Sequence, residues 1–280
     1  MVSSIPEITL NDGLHLPVVG LGTYLLKGNA GVNSILTAID AGYRLIDSAY
    51  NYENEGTIGE AVRRSSVPRQ ELFITSKLPG RYQEYDKAVT TIQESLYRAN
   101  LDYYDLYLIH WPNPRVDTYI EAWQALIDAK KWGLIRSIGV CNFLPEHIDR
   151  LVNETGVKPS VNQIELHPFF NQEEARKWHQ ENNIAIESWS PLTRGIRDIH
   201  VDSIQEIANR HNKTIPQIVL RWHYQLGAVS IPKSASPERQ LENISIFDFE
   251  LDQTEMSIIS GLTHPDGRIN NQDPAVYEEF

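Results

Sequence analysis

Short apolar runs alternate with longer amphipathic stretches along the chain. The runs at 16–24, 43–49, 72–78, 105–111, 135–142, 159–166, 184–191 and 228–234 are rich in apolar and β-branched residues, with polar residues mainly at their C-terminal ends. A strand buried on both faces reads this way. Between them, 88–101 places Val89, Ile92, Leu96 and Ala99 on one stripe at helical spacing, the mark of an amphipathic helix. Stretches 118–133 and 201–211 behave similarly, and 33–42 offers Asn33 as an N-cap and Gly42 as the residue after the last turn, positions those residue types favour. Strands alternating with helices imply parallel βαβ units, and eight strands can close a barrel. The pattern therefore predicts an α/β chain forming one (β/α)8 TIM barrel over residues 1–280.

Two departures from strict alternation are expected. Asn11-Asp12-Gly13 within 7–17 reads as a tight β-hairpin, because such residues accept the backbone of a two-strand turn. It is taken as a cap on the barrel floor. Residues 214–227 and 252–262 form extra helices toward the C-terminus. The competing doubly wound dinucleotide fold needs G-x-G-x-x-G after its first strand. Gly20, Gly22, Gly28 and Gly31 do not make that motif.

Composition narrows the function. A length of 280 residues suits one such barrel, which typically needs ~250. The net charge of -12 repels nucleic acid and anionic membranes, so an anionic ligand needs a local basic cluster. Cys141 is the sole cysteine and has no disulfide partner within the chain. No run approaches the ~18 apolar residues of a membrane span, and MVSSIPEITL lacks the basic start and apolar run of an export signal. A cytoplasmic protein follows, monomeric or at most weakly dimeric, with the N-x-[ST] triplets at Asn153, Asn212 and Asn243 read as chance matches.

Chemistry in such barrels sits at the C-terminal strand ends. There the chain puts Asp47 with Tyr52 five residues on, then Lys77, then His110 followed by Trp111. A phenol, with a reference pKa of about 10, is a reluctant proton donor at neutral pH, and a nearby ammonium lowers that value. A buried ammonium needs a carboxylate, which Asp47 supplies. His110 can donate to a carbonyl oxygen. Singly, each residue has a structural reading, as an ion pair, a core histidine or a packed tyrosine. Together, on adjacent strands, they make a proton donor beside a polarised carbonyl, with no metal required.

These residues and the stretches around them resemble the aldo-keto reductases along nearly the whole chain. The matching pieces are LGTY (21–24), GYRLIDSAYNYENEGTIGEA (42–61), LFITSKL (72–78), DLYLIHWP (105–112), IRSIGVCNF (135–143), VNQIELHP (161–168), ESWSPL (187–192) and IPKSASPERQLEN (231–243). The chain is most similar in appearance to small bacterial and fungal members such as the 2,5-diketo-D-gluconate reductases. The resemblance implies reduction of aldehydes or ketones, including dicarbonyls or keto-sugars, by hydride from NADPH, with Tyr52 as proton donor and Asp47, Lys77 and His110 in support. It assigns Gly22, Thr23 and Asp47 to the cofactor, Asn142 and Gln163 to the nicotinamide carboxamide, and Trp189 to the ring. Ser190 and Leu192 fall to the pyrophosphate region, Lys233, Ser234 and Arg239 to the 2′-phosphate, and Asn243 to the adenine. Tyr24, His110 and Trp111 would line the substrate pocket. The Lys233/Ser234/Arg239 cluster also stands on its own, since barrels of this type bind phosphate near the eighth strand and arginine suits it bidentately.

Three positions depart from the family pattern. Cys141 stands where serine is usual, Trp189 where many members have tyrosine, and Pro79 where many have tryptophan. The segment 193–200 is short for a loop folded over a cofactor. Glu165 and His167 are an incomplete ligand set for a metal and are read as structural. A metal-dependent hydrolase on the same barrel would want an H-x-H pair, which the chain lacks. A non-catalytic cofactor-binding subunit would have no need of the proton donor.

Overall fold

Strand alternation decides what fills the centre of the molecule. The computed structural model describes residues 5–195 and 199–280. Residues 1–4, at the start of the segment read for an export signal, and 196–198, within the connection expected to be short, lie outside the described residues. A hairpin of β1 (Glu7–Thr9) and β2 (His15–Pro17) precedes eight parallel strands. These are β3 (Gly20–Gly22), β4 (Leu45–Asp47), β5 (Phe73–Leu78), β6 (Tyr104–Ile109), β7 (Ile135–Cys141), β8 (Val161–Glu165), β9 (Ala185–Trp189) and β10 (Val229–Ser230), paired in chain order. Bridges Val19↔Ser230 and Gly22↔Lys233 bring the last strand back to the first. Gly22 is required at that seam, because a Cβ there would lie 2.7 Å from the Ile231 carbonyl oxygen.

Side chains alternate between the two faces of each strand. Leu45, Phe73, Leu106, Leu108, Val161 and Val229 form one buried cluster inside the barrel, closed by Leu10 and Leu16 of the hairpin. Ile46, Ile74, Leu78, Tyr107, Ile109 and Val140 belong to a second cluster, with Ile35, Ile92, Trp123 and Leu126 of the surrounding helices. Each such aliphatic side chain contributes about 1.5–3 kcal/mol on burial. The hairpin does cap the floor. Asn11 Nδ2 donates to the Pro159 and Asn183 carbonyls, at 2.9 and 3.1 Å, which lie just before β8 and β9. Its turn closes by Gly13 N–H donating to Leu10 O at 2.9 Å, with Gly13 at φ 86°.

The helices are α1 (Gly28–Ala41), α2 (Glu55–Arg64), α3 (Tyr85–Ala99), α4 (Tyr119–Lys131), α5 (Pro145–Thr155), α6 (Glu173–Glu181), α7 (Asp202–His211), α8 (Ile215–Gln225), α9 (Pro237–Ile244) and α10 (Gln253–Ser260). The extra helices expected at 214–227 and 252–262 are α8 and α10. Gly42 ends α1 in the left-handed conformation, as expected, but Asn33 is not its N-cap. The helix begins five residues earlier, and Thr57 Oγ1 of α2 accepts from Gly28 N–H at 3.2 Å. A tertiary partner thus replaces the local cap. The apolar run 16–24 divides into β2, which pairs with β1, and β3, which pairs with β4.

Candidate active site

The strands that pack leucine at the floor turn polar at the rim. Asp47 ends β4, Lys77 lies near the end of β5, His110 directly follows β6, and Gln163 and Glu187 face inward from β8 and β9. Lys77 and Asp47 are fully buried and paired. Lys77 Nζ donates to Asp47 Oδ1 at 2.6 Å, Asp47 Oδ2 at 2.8 Å and Ser48 O at 2.7 Å. All three ammonium protons are thereby used. Burial works to lower the Lys77 pKa, but Asp47 more than reverses this and raises it above the ordinary lysine value.

Tyr52 closes a 3-10 turn, Tyr50–Tyr52, after β4. Asn54 ties that turn to the barrel. It accepts from Ser48 Oγ at 2.7 Å and donates through Nδ2 to Thr23 O at 2.8 Å and Leu26 O at 3.0 Å. Lys77 Nζ lies 5.2 Å from the centre of the Tyr52 ring, so the ammonium reaches Tyr52 as a charge, its protons being engaged elsewhere. The Tyr52 pKa is raised, not lowered as the spacing of charges predicts. Burial pushes the phenol up, Lys77 pulls it down, Asp47 pushes it up again, and the net direction is upward. Sequence spacing shows the charges but not the desolvation that outweighs them.

His110 and Tyr52 meet edge to face with ring centres 6.2 Å apart, and Tyr24 meets Tyr52 at 5.2 Å. Trp111 is buried against Tyr277 at 4.4 Å, so its outer face is covered by the final segment of the chain. Asn142, at φ 60°, donates from Nδ2 to His110 O at 3.1 Å and accepts from Trp189 Nε1 at 2.7 Å. Gln163 Nε2 donates to Asp47 Oδ2 at 2.9 Å and Glu187 Oε2 at 2.6 Å. Glu187 is a buried carboxyl whose pKa is raised, first by burial and then by the charge of Asp47. Cys141 is buried beside them, and burial pushes its thiol well above the usual range, leaving it neutral.

The remaining expected cofactor residues fall around β3, β9 and β10. Thr23 Oγ1 donates to Asp47 O at 2.8 Å, next to Gly22. Ser190 is buried at φ 52°, with an Oγ that has no partner among the described residues, and Leu192 is half-buried. Lys233 and Arg239 are exposed, Ser234 is buried, and Ser236 caps α9 between them by accepting from Arg239 N–H at 3.3 Å. Asn243 is buried on α9, where the Tyr43 hydroxyl donates to Gln240 O at 2.9 Å. Glu165 and His167 serve structure. Glu165 Oε1 accepts from His167 Nε2 at 2.9 Å and Ile269 N–H at 2.6 Å, fastening the C-terminal segment to β8. Sequence reasoning passed over Asn54, Glu187 and Arg194. Arg194 lies over the Tyr24 and Trp189 rings at 5.2 and 5.5 Å.

A hydroxyl, a buried cation and an imidazole gathered at one barrel rim are what an oxidoreductase of carbonyl groups asks of its protein part. Comparison with known proteins agrees. The Aldo/keto reductase family matches residues 19–263, and the chain belongs to that family. It is 50% identical over 277 residues to 2,5-diketo-D-gluconic acid reductase B of Corynebacterium sp. (strain SHS752001), covering 99% of each chain. It is 44% identical over 256 residues to methylglyoxal reductase DkgA of Escherichia coli (strain K12), covering 91% of this chain and 92% of that one. The Bombyx mori aldo-keto reductase solved in complex with NADP superposes with a TM-score of 0.89 at 36% identity, over 98% of both chains. Among the described residues no helix is long and apolar enough to cross a membrane.

Proposed function

We propose that the protein reduces small, polar carbonyl compounds, dicarbonyls foremost, using NADPH, with Tyr52 as the proton donor. The observation that carries this reading is the buried Lys77–Asp47 pair beside Tyr52, at the rim where His110 also arrives. NADPH, when bound, supplies the hydride. The chain's own groups match such a ligand. Both protons of Gln163 Nε2 are engaged by Asp47 and Glu187, leaving its Oε1 to accept. Asn142 retains one N–H after bonding His110 O. One acceptor and one donor side by side complement a carboxamide. The unpartnered Ser190 Oγ, the exposed Lys233 beyond β10 and the exposed Arg239 in the first turn of α9 suit phosphate groups, because a helix N-terminus and arginine both favour anions.

Tyr52 holds its proton at neutral pH, since burial raises its pKa. It releases that proton to an oxygen that His110 orients. Lys77 limits the rise in the Tyr52 pKa and favours the phenolate left behind. Asp47 keeps the ammonium in place. The two curated relatives are named for a diketo acid and for methylglyoxal, which supports dicarbonyls as substrates.

The test is NADPH oxidation over a panel of methylglyoxal, 2,5-diketo-D-gluconate, simple aldehydes and aromatic ketones. The expected result is the highest kcat/KM for the dicarbonyls. Turnover of none of them, by folded protein that binds NADPH, would overturn the reading.

A further inference from the structure

The final segment of the chain does more than cover Trp111. Asn113 and Glu279 clasp each other, with Asn113 Nδ2 donating to Glu279 O at 2.8 Å and Glu279 N–H donating to Asn113 Oδ1 at 3.0 Å. Arg115 N–H donates to Glu278 Oε1 at 2.7 Å. This places the Glu279 side chain, 10% exposed, among the ends of three consecutive strands. Its Oε1 accepts from Asn51 Nδ2 at 2.8 Å and lies 2.7 Å from His110 Nδ1, a close but bent contact. Its Oε2 accepts from Gly80 N–H at 2.8 Å. Gly80 has to be glycine, since a Cβ would lie 2.3 Å from Glu279 O.

Each partner belongs to the reacting neighbourhood. Asn51 precedes Tyr52 in the same turn, and Arg81 donates to Asn51 Oδ1 at 2.6 Å, which turns the Asn51 amide protons toward Glu279. Gly80 follows the strand that carries Lys77, and His110 is the imidazole itself. Burial works against ionisation of Glu279, but His110 and the Gly80 and Asn51 donors outweigh it and hold the carboxyl below the usual range. The Nδ1 edge of His110 is occupied by this carboxylate, which leaves the Nε2 edge for a substrate oxygen. An imidazole held from behind by a carboxylate has a fixed orientation.

We propose that Glu279 is a positioning residue for the reduction: it locks the His110 ring and the Tyr52-bearing turn together, so the reacting set is complete only when the final segment is docked. This rests on the reading that Tyr52 and His110 act on the substrate. Misplacement of a reacting group by about 1 Å costs roughly 10²-fold in rate, so Glu279→Ala should lower kcat for methylglyoxal by about 10- to 100-fold. KM should change far less, and the NADPH Kd and Tm should stay near wild type.

The discriminating measurement is rescue by added formate, a carboxylate small enough for the space left by Glu279→Ala. Recovery of a large part of the lost kcat, with no effect of formate on wild type or on Tyr52→Phe, supports the positioning role. A wild-type kcat in Glu279→Ala overturns it. So does a lost rate that formate leaves unchanged and that comes with a lowered Tm, since Glu279 would then be a structural clasp. Tyr52→Phe in the same assay separates the two ideas, because full activity there sinks the proton-donor reading on which the proposal rests, whereas an inactive Tyr52→Phe beside a wild-type kcat in Glu279→Ala sinks the role of Glu279 alone.

Discussion

The floor and the rim of this barrel are built by the same strands, a few residues apart, yet they obey opposite rules. At the floor, Leu45, Phe73, Leu106 and Val161 pack on Leu10 and Leu16 of the hairpin. At the rim, Asp47, Lys77, Gln163 and Glu187 are just as buried. The floor gains stability from apolar contact. The rim holds a buried charge pair, which survives because its members are matched: Lys77 spends its protons on Asp47 and Ser48, and Gln163 bridges Asp47 to Glu187. Burial at the floor is an end in itself. At the rim it is a means of shifting protonation, as the raised Tyr52 and Glu187 show.

Lys77→Met should break the contrast most severely. It removes the cation from a buried pair and leaves Asp47 uncompensated, a change that typically costs about 3–5 kcal/mol. Reduction should fall by at least about 10²-fold, the scale of losing general acid catalysis. Urea unfolding and turnover per folded molecule check both halves, and near wild-type turnover would refute the role given to the pair. Leu45→Ala should do the reverse. A buried leucine truncated to alanine costs about 2–5 kcal/mol, while kcat at a temperature where the variant is folded should stay within about twofold. A collapse of kcat there would mean that floor and rim are not separable. Arg239→Ala should have the smallest effect. Losing one charged hydrogen bond of about 1.5–3 kcal/mol should weaken NADPH binding roughly tenfold and leave NADH binding nearly unchanged. Equal losses with both cofactors would remove Arg239 from the 2′-phosphate.

The floor was legible in the sequence because it depends on periodicity, which alternation and length reveal. The eight strands and the hairpin followed from that. The short polar helices α2, α5, α6 and α9 are not among the helical stretches picked out by pattern; a segment such as EEARKWHQE carries little apolar signal and is held by its neighbours. At the rim, Asp47, Tyr52, Lys77 and His110 stood out as polar residues ending apolar runs. Glu187 did not, because a carboxyl inside IAIESW gives no sign of facing Asp47 across the barrel. Glu279 was hidden more deeply. In the sequence it is one of two adjacent glutamates near an acidic end, the pattern of a solvated tail, and only a contact spanning 228 residues to Asn51 makes it part of the site. Desolvation is invisible in the sequence as well, and for that reason the Tyr52 pKa moves up where the neighbouring ammonium alone predicts a fall.

Delivery of the proton by Tyr52 is read out in single-turnover hydride transfer from bound NADPH to methylglyoxal. Tyr52→Phe removes only the hydroxyl, so NADPH affinity and Tm should hold while the transfer rate falls by about 10²–10⁴-fold. Wild type should show the matching pH dependence. The Tyr52 pKa is raised, so the phenol form persists beyond its ordinary value of about 10. Reduction should therefore stay level through neutral and mildly alkaline pH and fall only as the pH rises through that elevated pKa. A Tyr52→Phe protein that transfers hydride at near wild-type rates would contradict the account, because another group would then be supplying the proton.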